Sequence, residues 1–96
     1  MKGYVLSPLA QVDIDEIWDY TFEHWGDAQA DRYARLIENA IKMAASNPKR
    51  GRACDDLRTG YFRLSAGSHV LFYRIVGDKI DVVRVLHQSM DFERHL

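Results

Sequence analysis

Residues 60–87 carry three runs rich in aromatic and β-branched side chains. They are Tyr61-Phe62-Arg63-Leu64-Ser65, Val70-Leu71-Phe72-Tyr73-Arg74-Ile75-Val76 and Ile80-Asp81-Val82-Val83-Arg84-Val85-Leu86-His87. Ala66-Gly67-Ser68 and Gly77-Asp78-Lys79 separate them. Short glycine-containing breaks between such runs predict tight turns and three antiparallel strands. In the first run Phe62 and Leu64 alternate with Tyr61, Arg63 and Ser65, and in the third Ile80 and Val82 flank Asp81. The middle run is apolar at nearly every position, the pattern of a strand covered on both faces, which predicts it at or near the centre of a sheet. A sheet with an apolar face needs a cover, and the first half of the chain has to supply it.

Ahead of that cover the pattern Tyr4-Val5-Leu6 predicts a short strand. Ser7-Pro8 then offers an N-cap and a first helical residue. Ala10, Ile14, Ile17, Trp18, Thr21 and Trp25 recur at helical spacing and predict one apolar stripe. Asp13, Asp15, Glu16, Asp19 and Glu23 are expected on the solvated side. Gly26 suits a helix stop, and Asp27 is expected to cap a second helix. The stripe of that helix is Tyr33, Leu36, Ile37, Ala40, Ile41 and Ala44, and Asn47-Pro48 ends it. So short a link predicts an antiparallel helical hairpin. Residues 49–59 have no period and read as a crossing loop. Residues 88–96 read as a polar tail whose Met90, Phe92 and Leu96 are too sparse for a helix. The expected fold is α+β, in the order β-α-α-β-β-β, with a helical hairpin on one face of a mainly antiparallel sheet and the other face partly open.

Ninety-six residues, 47% hydrophobic and 28% charged, predict a single domain over 1–96 with one modest core. One cysteine, Cys54, excludes an internal disulfide, suits a reducing compartment and, in its polar setting, reads as a partly exposed thiol. No apolar run approaches a membrane span and the N-terminus lacks a signal-peptide core, so a cytoplasmic location without membrane contact is expected. The net charge of −1 hides a split: residues 1–48 sum to −4 and residues 49–96 to +3. An acidic side and a basic side are therefore expected.

The four histidines have no zinc-site spacing with one another or with Cys54, and Gly51, Gly60, Gly67 and Gly77 are isolated turn residues rather than a phosphate loop. Neither a metal nor a cofactor is expected. One constellation has catalytic potential. Arg63, Arg84 and His87, with Arg58 nearby, are of the types that hold a phosphodiester and move a proton in metal-independent RNA cleavage. The competing reading lays Arg63 and Arg84 along the sheet with their stems packed and lets His87 close the last strand.

Three stretches carry a resemblance to a known family. They are Ile17-Trp18-Asp19-Tyr20-Thr21 with Trp25-Gly26-Asp27-Ala28-Gln29-Ala30-Asp31-Arg32-Tyr33; the strand Ser68-His69-Val70-Leu71-Phe72-Tyr73-Arg74-Ile75; and Val85-Leu86-His87-Gln88-Ser89-Met90-Asp91 with Arg94. Together they resemble the RelE/ParE toxin superfamily, and within it the ParE toxins. The resemblance implies a toxin of a type II toxin–antitoxin module that inhibits DNA gyrase by protein binding. It implies neutralisation by a ParD-like ribbon-helix-helix antitoxin, with operator DNA reached only through that antitoxin. Under this reading Lys49, Arg50, Arg52, Arg58, Met90 and Arg94 are expected to meet the target, and Trp18, Tyr33, Leu71 and Tyr73 the antitoxin, with a core role for at least two of these four. The ribonuclease branch often has a basic residue after the position of His69 and an aromatic after the terminal histidine. Here Val70 and Gln88 stand there, which favours the gyrase reading over a ribonuclease using Arg63, Arg84 and His87.

Overall fold

The computed structural model describes residues 3–96. Strand β1 (Gly3–Leu6) leads through Ser7 into helix α1 (Pro8–Trp25), and Gly26 joins it to helix α2 (Asp27–Ser46). A 3-10 turn at Pro48–Arg50 and the short strand β2 (Arg52–Ala53) precede β3 (Tyr61–Ala66), β4 (His69–Val76) and β5 (Lys79–His87). A final short helix, α3, covers Phe92–His95. The five strands form one sheet in the order β1-β5-β4-β3-β2, with β1 parallel to β5 and the other pairs antiparallel. The α+β architecture and the central place of the middle run hold, although burial along β4 stops at Tyr73 and leaves Arg74, Ile75 and Val76 exposed. The crossing segment and the tail each contain an element that the absence of periodicity concealed, β2 and α3.

Both helices start as local chemistry requires. The Ser7 hydroxyl accepts a hydrogen bond from the Ala10 N–H at 3.1 Å, and Pro8 occupies the first turn, where its missing N–H goes unneeded. Gly26 has φ 87°, a conformation in which a Cβ is disfavoured, so a single residue turns the chain between helices. Gly26 itself holds the cap position, and Asp27 is the first residue of α2 rather than its cap.

The hairpin packs on one face of the sheet. Ala10, Ile37, Ala40, Ile41, Ala44 and Ala45 meet Leu71, Tyr73, Ile80, Val82 and Val85. Small residues on α2 let its backbone approach the sheet, while the large side chains come from β4 and β5. Tyr73 is fully enclosed, yet its hydroxyl is satisfied: it donates to the Pro48 carbonyl at 2.8 Å and accepts from the Gly51 N–H at 3.1 Å. A Cβ on Gly51 would fall within 2.2 Å of that hydroxyl, so glycine is needed there for space.

The second face is less open than its polar flanks suggest. Cys54, Val70, Phe72 and Leu86 form a second buried cluster, flanked by Leu57, Tyr61, Phe92 and Leu96. Phe92 of α3 meets Phe72 edge-on with ring centroids 4.9 Å apart. Cys54 is 1% exposed, not partly exposed, because the turn after β2 folds it under this cluster, and burial raises its thiol pKa above the ordinary value. Trp25 and Leu36, expected in the helix stripes, are instead 72% and 41% exposed. No helix among the described residues is long and apolar enough to cross a membrane.

Candidate functional site

Strand β1 is short, and its pairing with β5 stops at Val82. Beyond that point β5 has no strand on the side away from β4, and unpaired buried backbone groups are costly. Side chains from the start of α1 take over. The Ser7 hydroxyl donates to the Val83 carbonyl at 2.7 Å, and an oxygen of Asp13 accepts the Val85 N–H at 3.0 Å. Asp13 was expected on the solvated side of α1; it is 8% exposed. Both its oxygens also accept from Arg84, at 2.8 Å from Nε and 2.9 Å from Nη2. Planar two-point pairing is the strong form of a charge-assisted hydrogen bond. The remaining terminal nitrogen, Nη1, donates to the His95 carbonyl at 3.0 Å. Arg84 therefore ties α1 on one face of the sheet to α3 on the other, around the edge of β5.

Next to this clamp lies a cleft of about 430 Å3 between α1 and the ends of β4 and β5. Asp13, Glu16, Tyr20, His69, His87 and Met90 contribute to its walls. His69 and His87 are cross-strand partners, with ring centroids 5.2 Å apart in an edge-to-face arrangement. Nδ1 of His87 accepts the Ser89 N–H at 3.1 Å, which puts the proton of the neutral ring on Nε2. Nδ1 of His69 lies 2.6 Å from the Tyr33 hydroxyl, which also accepts the Ser68 N–H at 2.9 Å. Burial pushes the His69 imidazole below its ordinary pKa, and the nearby His87 adds to this, while Asp13 opposes it.

The sign of that shift sets a pH dependence. The unfolded chain takes up a proton near pH 6.5, before the folded one does, so this contribution is complete above about pH 6.5 and declines as the pH falls toward the lower, folded value. The urea midpoint is expected to drop between pH 7.5 and 5.5, and a His69→Gln variant is expected to show a flatter profile over that interval. Equal slopes in the two proteins would remove His69 from the account.

The three residues of the catalytic alternative do not come together. Arg63 is opposite Phe72 in β4, on the face of the second cluster, where its charge acts on Cys54. His87 lies across the sheet, in the cleft with α1. Arg84 is committed to Asp13 and His95. The walls of the cleft hold the carboxylates of Asp13 and Glu16 and no arginine or lysine, the wrong sign for a phosphodiester. Among the described residues no three His, Cys, Asp or Glu side chains converge as metal ligands.

The other expected contact residues divide by place. Leu71 and Tyr73 are 0% exposed, so for them a surface contact is corrected to a core role: β4 is central and its inner face is roofed by the hairpin. Trp18 and Tyr33 are half-buried, facing a small gap between α1 and α2, and Trp18 stacks on Phe22 with centroids 5.2 Å apart. Lys49, Arg50 and Arg52 are exposed around the 3-10 turn and the β2 edge. Arg58 sits 5.9 Å above the Tyr61 ring and donates to the Leu96 carbonyl. Met90 and Arg94 are exposed near the end of β5 and in α3. Sequence reasoning missed Asp13 and His69. Asp13 falls three residues after Ala10 and four before Ile17, on the apolar stripe, and that spacing was the available signal.

A profile of the family described as the ParE toxin of the type II toxin-antitoxin system, parDE, matches residues 4–92. Toxin ParE1 of Mycobacterium tuberculosis is 58% identical over 94 residues, covering 97% of this chain and 96% of that protein. The chain belongs to the ParE toxin family. Toxin ParE1 of Caulobacter vibrioides is 48% identical over 96 residues, covering 100% of this chain and 99% of that protein. Among solved structures, the chromosomal ParDE toxin–antitoxin system from P. aeruginosa superposes with a TM-score of 0.78 over 91% of this chain and 96% of its own, at 19% identity, and so shares the fold. The chain is thus a ParE-family toxin of the type II toxin–antitoxin class, with two helices packed against a five-stranded sheet.

Proposed function

We propose that this ParE-family chain arrests growth by binding DNA gyrase, and that a ParD-like ribbon-helix-helix antitoxin holds it inactive until release. The observation that carries the choice of a binding mechanism over RNA cleavage is the separation of the cationic and imidazole groups. Arg63 and His87 are on opposite faces of the sheet, and Arg84 is bound to the Asp13 carboxylate. A phosphoryl-transfer site needs such groups within hydrogen-bond reach of one phosphate. Inhibition by docking needs only exposed surface, which Lys49, Arg50, Arg52 and Arg94 provide with Met90. Family membership supplies the toxin class, and a single domain acting in the cytoplasm fits both partners.

Purified protein added to gyrase, ATP and relaxed plasmid is expected to block supercoiling or to leave broken DNA. Unchanged supercoiling at micromolar protein overturns the gyrase reading. His87→Ala and Arg63→Ala are expected to leave growth arrest intact; loss of arrest in folded variants of both would return the ribonuclease reading.

A further inference from the structure

The Tyr33 side chain ties helix α2 to the turn between β3 and β4. Its hydroxyl accepts the Ser68 N–H at 2.9 Å, lies 2.6 Å from Nδ1 of His69 and stands 3.4 Å from the Ala66 carbonyl. Its ring closes over Gly67, where φ is 60° and a Cβ would fall 2.9 Å from ring atoms, so glycine is needed there for conformation and for space. The Ser68 carbonyl accepts the Gln88 N–H at 2.9 Å, so the same turn also holds the segment after β5. A phenolic hydroxyl has one proton to give. With Ser68 donating to the oxygen, that proton goes to the nearer acceptor, Nδ1 of the neutral His69 ring, and the ring's own proton sits on Nε2. A second proton on His69 would occupy Nδ1 and point at the Tyr33 proton. The hydroxyl then has the Ala66 carbonyl left to it, at the outer edge of hydrogen-bond range.

We propose that Tyr33 and His69 form a proton-released latch: when His69 takes up a proton its ring leaves Tyr33 and turns into the cleft toward Glu16, and the β3–β4 turn loosens from α2. The groups on every element around the ring act in that direction. From α2, Tyr33 presents a proton where the charged ring needs an acceptor. From β5, His87 meets the ring edge-to-face with centroids 5.2 Å apart and brings no counter-charge, and Arg84 adds a cation to the same strand. From α1, Asp13 is spent on Arg84 and the Val85 N–H, and Tyr20 is a neutral phenol. Glu16 is the exposed carboxylate of the cleft wall, and among the described residues it takes part in no salt bridge. An imidazolium gains from a nearby carboxylate and from water, and the cleft offers both. Burial, and then His87, keep the ring neutral at pH 7, so the latch is closed there. The device belongs to the chain itself and works without a partner.

Heteronuclear NMR of the intact chain between about pH 7.5 and 5 reads each part of the device. Imidazole nitrogen shifts at the upper end are expected to show His69 protonated on Nε2 and bare on Nδ1, and the opposite tautomer overturns the proposal. As His69 titrates, exchange of the Ser68 amide, corrected for its intrinsic pH dependence, is expected to accelerate roughly fivefold or more, the equilibrium equivalent of one hydrogen bond. The midpoint of that rise is expected to coincide with the His69 titration. In His69→Gln the rise is expected to vanish, and in Tyr33→Phe the amide is expected to exchange fast at both ends of the range. A Ser68 amide that keeps its protection while His69 titrates overturns the latch. Glu16→Gln tests where the ring goes. His69 is expected to titrate at lower pH in that variant, because its charged form has lost a carboxylate, and an unchanged midpoint overturns the turn into the cleft. Glu16 is exposed, so an unchanged near-ultraviolet circular dichroism spectrum is expected of Glu16→Gln. Should Tyr33→Phe fail to fold, the wild-type chain, His69→Gln and Glu16→Gln decide the matter by themselves.

Discussion

Replacing Asp13 with alanine is expected to destabilise the protein by about 3–5 kcal/mol, the usual loss when one partner of a buried ion pair is removed. The carboxylate has three jobs that no neighbour can assume. It pairs both Nε and Nη2 of Arg84, and it caps the Val85 N–H on the side of β5 that β1 no longer covers. Its removal leaves a guanidinium whose side chain is 16% exposed without a counter-charge, and a buried backbone donor without an acceptor. Through the bond from Arg84 to the His95 carbonyl, the loss also loosens α3. Asp13→Asn separates the contributions: an amide oxygen can still accept from Val85 but brings no charge, so an intermediate loss is expected. Combining Asp13→Leu with Arg84→Met is expected to recover part of the loss, because neither charge then stays buried alone. Urea denaturation of the four proteins measures this. A loss under about 1 kcal/mol in Asp13→Ala would mean that Arg84 finds water instead and that the clamp is a surface pair.

The clamp shows what a sequence pattern conveys and what it conceals. The three antiparallel strands β3 to β5, the helical hairpin and the central β4 follow from periodicity and turn glycines, because those signals reflect which face of an element meets apolar neighbours. Ser7-Pro8 is equally legible, since a cap is made within one turn of the chain. Asp13 was not, although its spacing from Ala10 and Ile17 puts it on the buried side. A carboxylate reads as solvated unless its partner is known, and Arg84 is distant in sequence. The separation of Arg63, Arg84 and His87 was hidden for a related reason. Arg63 and His87 sit in β3 and β5, on either side of β4, and which face each meets depends on strand parity and on the irregular register near Phe72 and Tyr73. Leu71 and Tyr73 were offered both as core and as contact residues, and only the hairpin's placement decides for the core. The second apolar cluster is built from a short turn and a four-residue helix, pieces too brief for a period. Phe92 and Leu96 are four residues apart, which is one helical turn and no more.

That second cluster leads to the other large effect. Deletion of residues 91–96 is expected to lower stability by about 2–4 kcal/mol, in the range for uncovering one aromatic and one aliphatic side chain together with their contacts. The polar character of the tail suggests a free appendage, and its contacts are those of a strap. Phe92 packs edge-on against the fully buried Phe72, and Leu96 flanks the cluster containing Cys54 and Leu86. The strap is held at two carbonyls, His95 by Arg84 and Leu96 by Arg58. Its removal exposes apolar sheet surface beneath, and the Cys54 thiol, now 1% exposed, should become reactive toward a disulfide reagent while the hairpin core stays folded. Phe92→Ala should reproduce much of the thermal loss without shortening the chain. Thiol labelling distinguishes a strap from an ornament: a truncated protein that keeps both its melting temperature and an unreactive Cys54 would show that β3, β4 and the turn before them close over the thiol unaided. If the clamp and the strap act as one unit, Asp13→Ala should also raise the labelling rate of Cys54. The signal would have passed from α1 through Arg84 to α3, from one face of the sheet to the other.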